Sequence, residues 1–179
     1  MGDIFERIKE MTDPLTKIIG QIPGFKGYVE RSTRRQSDKQ LRGIVADRFE
    51  EQWRRLSSLQ RDLISQGNLE FVDDVESGAI KLRQFIDRIR TATYGYSGLF
   101  DSVKINEEEL LKLYQYDLTM LEMVNEDSRA IDVIETSMGS DGLPAAIRNL
   151  TTLAQECVET FNRRSEVVLG GIEDNPASQ

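Results

Sequence analysis

Histidine is missing from all 179 residues, and no other absence removes as much chemistry. Without imidazole there is no Ser–His or Cys–His nucleophile, no histidine-based zinc site, and no ferritin-type di-iron centre with its Glu-x-x-His pairs. Cysteine occurs once, as Cys157, so the chain cannot close an internal disulfide. Proline is scarce, with four residues, and glycine numbers 13, which leaves room for long uninterrupted helices; aromatics make up only 7%. No run approaches the ~18 to 20 apolar residues that a helix needs to cross a bilayer. Asp3, Glu6, Arg7, Lys9 and Glu10 interrupt the stretch that a secretory signal would keep apolar. A P-loop, a dinucleotide fingerprint and EF-hand spacing are all lacking, and no cofactor is expected. The expectation is a soluble cytoplasmic protein, peripheral at most to the inner face of a membrane.

What is present suits helices. Apolar residues at 39% can fill one core, and 30% charged residues can solvate the outer faces around it. The charge of −8 argues against attraction of nucleic acid or anionic lipid by the surface as a whole, so any such binding must be local. The predicted fold is all-α: an elongated antiparallel up-down bundle of four long helices plus an N-terminal amphipathic helix. Residues 1–171 form one domain, and residues 172–179 form a frayed C-terminal tail.

Periodicity places the elements. Ile4, Ile8, Met11, Leu15, Ile18 and Ile22 form one stripe at spacings of four and three, ended by Gly20, Pro23, Gly24 and Gly27. Residues 28–66 contain no proline and carry Leu41, Val45, Phe49, Trp53, Leu56, Leu59 and Leu63 in helical register, closed by Gly67 and Asn68. A third long element runs from Val72 through Ile89 to Tyr94. A fourth opens at Asn106 and Glu109, spaced as a capping box, and carries Leu110, Tyr114, Leu118, Leu121, Val124, Ile131 and Ile134. The last carries Leu143, Ile147, Leu150, Ala154, Cys157, Phe161 and Val168, which makes Cys157 a core residue. The moderate connectors predict that sequence neighbours pack as antiparallel neighbours.

Residues 30–40 contain no apolar side chain, so the second long helix should overhang its partner by ~17 Å as a polar arm. From Lys26 to Arg42 six basic residues face two acidic ones, a local charge of +4 against −12 for the remainder. Arg31, Arg35, Lys39 and Arg42 share one face at helical spacing. Two glycine–aromatic connectors meet the same end, around Phe25 and Tyr28 and around Tyr94 and Tyr96. The candidate binding residues are therefore Lys26, Arg31, Arg34, Arg35, Lys39, Arg42, Tyr94 and Tyr96. Their partner would be an acidic protein surface, phospholipid headgroups or nucleic acid phosphates. The competing account is a solvated face paired with Glu30 and Asp38, with the aromatics plugging the end of the core. Self-association through the N-terminal helix would use its apolar stripe.

A second class of function rests on Glu50, Glu51, Glu70 and Asp73. Paired acidic motifs on adjacent helices can hold magnesium, and these resemble the motifs of all-α nucleotide pyrophosphohydrolases. Arg54 stands where that pattern has a further glutamate. Over most of its length the chain resembles an uncharacterised family of prokaryotic all-helical proteins. The likeness is carried by Ile22-Pro23-Gly24-Phe25-Lys26-Gly27-Tyr28, by Arg34-Arg35 and Asp38-Lys39, by Arg88-Ile89-Arg90, and by Tyr94-Gly95-Tyr96-Ser97-Gly98-Leu99-Phe100-Asp101. It implies a prokaryotic origin and no catalytic residues.

Overall fold

The computed structural model describes residues 13–32, 34–92 and 107–173, and all secondary structure among them is helical. Six α-helices follow in order: α1 Asp13–Gln21, α2 Phe25–Arg31, α3 Arg34–Ser65, α4 Val72–Thr91, α5 Glu107–Ser137 and α6 Leu143–Glu173, with a 3₁₀ turn at Leu69–Phe71 before α4. At 1.5 Å per residue the three longest reach nearly ~50 Å, and α4 reaches ~30 Å. No helix among the described residues is long and apolar enough to cross a membrane. The stripe residues Ile4, Ile8 and Met11, the capping-box Asn106, the motif from Tyr94 to Asp101 and residues 174–179 lie outside the described residues. So do the side chains of Arg34 and Arg35.

Each long helix buries the stripe its sequence carries. Leu41, Val45, Phe49, Leu56, Leu59 and Leu63 of α3 meet Val75, Ala79, Leu82, Phe85, Ile86 and Ile89 of α4 and the apolar rows of α5 and α6 in one continuous core. At its middle Phe85 stands edge-on to Phe49 at 4.6 Å and to Phe161 at 6.2 Å, tying α3, α4 and α6 together. Leu15 and Ile18 of α1 are buried, and α1 packs against α5. A Schellman turn ends α3: Asn68 N–H bonds to Leu63 O at 2.9 Å and Gly67 N–H to Ile64 O at 3.1 Å, with Gly67 at φ 79°.

Helix direction follows from cross-contacts. Asp117 meets Arg164 and Asp127 meets Cys157, so α5 and α6 are antiparallel. Arg42 meets Ile89 across the α3–α4 hairpin, again antiparallel. Arg55 meets Ser128 and Gln66 meets Met138, so α3 and α5 run parallel; Gly78 lies beside Thr151 and Phe85 beside Phe161, so α4 and α6 do too. The substantial contacts are α3 with α4 and α5, and α6 with α4 and α5. Consecutive α4 and α5 therefore sit across a diagonal, against the expectation that sequence neighbours pack side by side. The step from Ala92 to Glu107 can span up to ~50 Å, so chain length does not force them together.

The expected single helix from Tyr28 onward is two. Tyr28 to Arg31 belong to α2, the backbone extends at Ser32 (φ −112°, ψ 157°), and α3 starts at Arg34. Gly24 at φ 79° makes the tight entry into α2 after Pro23. The polar arm is corrected as well. Ser37 is only 3% exposed and Asp38 turns into the bundle, so the start of α3 lies on its neighbours.

Candidate functional site

Four charged side chains, two from α3 and one each from α5 and α6, meet inside the bundle beneath the expected basic pole. Arg164 of α6 is fully buried. Its Nε donates to Asp117 Oδ1 at 2.7 Å and its Nη2 to Asp117 Oδ2 at 3.2 Å, a two-pronged pair with α5. The same Nη2 donates to Asp38 Oδ1 of α3. Asp38 Oδ2 accepts from Arg42 Nε at 2.8 Å, and Arg42 Nη1 donates to the Ile89 carbonyl of α4 at 3.1 Å. The chain Asp117–Arg164–Asp38–Arg42–Ile89 thus touches all four long helices, with two positive and two negative groups.

Burial and charge compete within it. At Asp38 burial works against ionisation, but Arg164 and Arg42 outweigh it and hold its pKa below the ordinary value. At Asp117 burial wins over the Arg164 guanidinium, and the pKa is raised. Burial of Arg164 opposes its charge, yet Asp117 and Asp38 hold its pKa above the usual value. Ser37 Oγ and Arg164 Nη1 are buried without a hydrogen-bond partner.

No protein-family model, curated protein or solved structure matches the chain. The site must therefore be read from its own residues.

The structure divides the expected binding residues. Lys26, Arg31 and Lys39 are exposed, with Arg31 Nε bonded to the Gly27 carbonyl at 2.8 Å. Phe25, beside Lys26, is buried against the start of α3. Arg42 is a correction: it is 3% exposed, and its guanidinium serves Asp38 and Ile89 rather than an outside anion. Asp38, expected among the solvated partners of this face, is likewise internal. Arg34 and Arg35 start α3 but their side chains are not described, and Tyr94 and Tyr96 lie outside the described residues. Arg88 and Arg90, at the facing end of α4, bond to Asn162 and to Asp47 with Glu50.

The four acidic candidates are not brought together. Glu50 pairs with Arg90 at 2.5 Å and with Arg54 at 3.1 Å; the hydrogen bond from Arg90 lowers its pKa against the opposing effect of burial, and Arg54 adds to the fall. Asp73 lies 17 residues before Arg90 on α4, which puts it ~25 Å from Glu50 along the axis. Glu70 sits still further along, in the 3₁₀ turn. Glu51, Glu70 and Asp73 are exposed, and no cluster of three potential metal ligands occurs among the described residues. Where the hydrolase pattern has a further glutamate, Arg54 instead neutralises Glu50.

Sequence reasoning missed Arg164 and Asp117. Both sit in phase with apolar stripes: Arg164 falls three residues after Phe161 and four before Val168, and Asp117 three after Tyr114 and four before Leu121. A charged residue in core register was the available signal.

Proposed function

We propose that the protein is a non-enzymatic helical interaction module: an elongated up-down bundle that docks a basic pole on an anionic partner. That partner is an acidic protein surface, phospholipid headgroups or nucleic acid phosphates. One observation carries the reading. Asp38 is drawn inward onto Arg164, so among residues 24–41 the exposed acid is Glu30 alone, beside exposed Lys26, Arg31 and Lys39. Arg34, Arg35, Tyr94 and Tyr96 are the further residues assigned to binding on this reading. The interior network supports this role by seating the polar start of α3 on the bundle without apolar side chains, so its outward face can remain cationic. The protein belongs, on this reading, with the prokaryotic all-helical family it resembles, works in the cytoplasm or at the inner membrane face, and can self-associate through its N-terminal segment.

The test compares wild type with Lys26→Glu/Arg31→Glu/Lys39→Glu on phosphatidylserine vesicles, on single- and double-stranded nucleic acid, and in capture from cell extract at low and high salt. Phosphate contacts weaken steeply with salt, so one class should bind in a salt-dependent way and lose the variant. Equal behaviour of both proteins on every class would overturn the proposal.

A further inference from the structure

The ion network leaves a buried hydroxyl without a partner in the protein. Ser37 is 3% exposed and its Oγ makes no hydrogen bond. Leaving such a group unmet is costly, so buried hydroxyls generally find a protein atom or an ordered water. Ser37 also lines a cavity of about 10 Å³, bounded by Ser37, Asp38 and Asp117 on its polar side and by Phe25, Leu41 and Leu110 among its apolar walls. A single water requires about 10–15 Å³, so the space matches the size of one water.

We infer that this cavity is a binding site for one water molecule, hydrogen-bonded to Ser37 Oγ and donating to the carboxylates of Asp38 and Asp117. Charge balance selects water over an ion. Asp38 and Asp117 are already matched by Arg42 and Arg164, so a sodium ion would add an uncompensated buried charge, and an anion would meet two carboxylates. Polar walls select water over an empty hole, because cavities that stay dry are apolar. Lone-pair counting agrees. Each oxygen of Asp38 and of Asp117 accepts one arginine N–H, and a carboxylate has roughly four acceptor positions, so both acids can take a further donor. The water would join α3 to α5 beneath Phe25 of α2 and make the hydroxyl part of the network. This inference is independent of whether the basic pole binds an anion.

A crystal structure of the full chain that resolves ordered solvent, for wild type and for Ser37→Val, tests it. The wild type should show one peak within hydrogen-bond distance of Ser37 Oγ and of an oxygen of Asp38 or Asp117. In Ser37→Val, whose branched side chain fills the space, the peak should vanish while the Asp117–Arg164–Asp38 pairing persists. A wild-type cavity without a peak, with Ser37 bonded instead to helix backbone, would overturn the inference. So would a peak ringed by five or more oxygens at ~2.4 Å, the signature of a bound cation.

Discussion

Asp127→Asn should remove a large part of the pH dependence of stability. Asp127 lies in the core with no exposed surface, accepts one hydrogen bond from the Cys157 thiol at 3.6 Å on Oδ2, and has no partner on Oδ1. Burial raises its pKa from 3.8 to about 7, with Glu126 and Glu156 adding to the rise and the Cys157 hydrogen bond opposing it. That difference of about 3 pH units corresponds to ~4 kcal/mol, at ~1.36 kcal/mol per unit. The folded chain keeps a proton that the unfolded chain has lost between about pH 4 and 7, so stability falls as pH rises through that window and levels off above it. Asparagine does not titrate, so any fixed cost of the carboxamide cancels when the two proteins are compared across pH. Urea unfolding followed by circular dichroism should therefore show the variant gaining on wild type by about 2–3 kcal/mol between about pH 5 and 8. Parallel curves over that interval would refute the reasoning, because they would mean that Asp127 is ionised in the folded core at no cost or reaches water there.

Three further outcomes follow from particular contacts. Arg164→Met strips Asp117 and Asp38 of their shared cation and should cost ~3–5 kcal/mol in urea unfolding, whereas Arg55→Ala, which breaks half-exposed pairs with Asp132 and Glu135, should cost ~1 kcal/mol or less. Gly24→Ala should lower stability by ~1–2 kcal/mol through backbone strain alone, since φ is 79° and an added Cβ meets nothing within 4 Å; Gly43→Ala, equally open but inside α3, should raise it by up to ~1 kcal/mol. Cys157 is fully buried and burial pushes its thiol pKa up, so thiol reagents should leave the native protein unmodified and react once urea unfolds it.

The all-helical class and most of the core were legible because apolar side chains recur with a helix period: every residue assigned to the α6 stripe, from Leu143 to Val168, is buried. What the pattern could not convey was a polar residue occupying a core position. On α3 the stripe runs backward from Val45 through Arg42 to Asp38 at spacings of three and four, and it looks interrupted only because those residues are charged. The same phase marks Asp117 and Asp127 on α5 and Arg164 on α6. Periodicity of hydrophobicity scores such positions as gaps, whereas periodicity of position, with residue type ignored, scores them as interior. Asp38 and Arg42 pair one helical turn apart, but Arg164 reaches Asp38 across 126 residues and Asp117 across 47, so no local rule connects Arg164 to its partners. The supposed arm is the clearest consequence. A segment without an apolar side chain is expected in water, yet Ser37 is buried there and Asp38 pairs inward with Arg164, which leaves Glu30 as the exposed acid among residues 24–41, beside exposed Lys26, Arg31 and Lys39. The interior network and the proposed docking pole are thus two faces of the same turns of α3. A substitution that breaks the inner one, such as Arg164→Met, should therefore disturb the outer one without touching any residue on it.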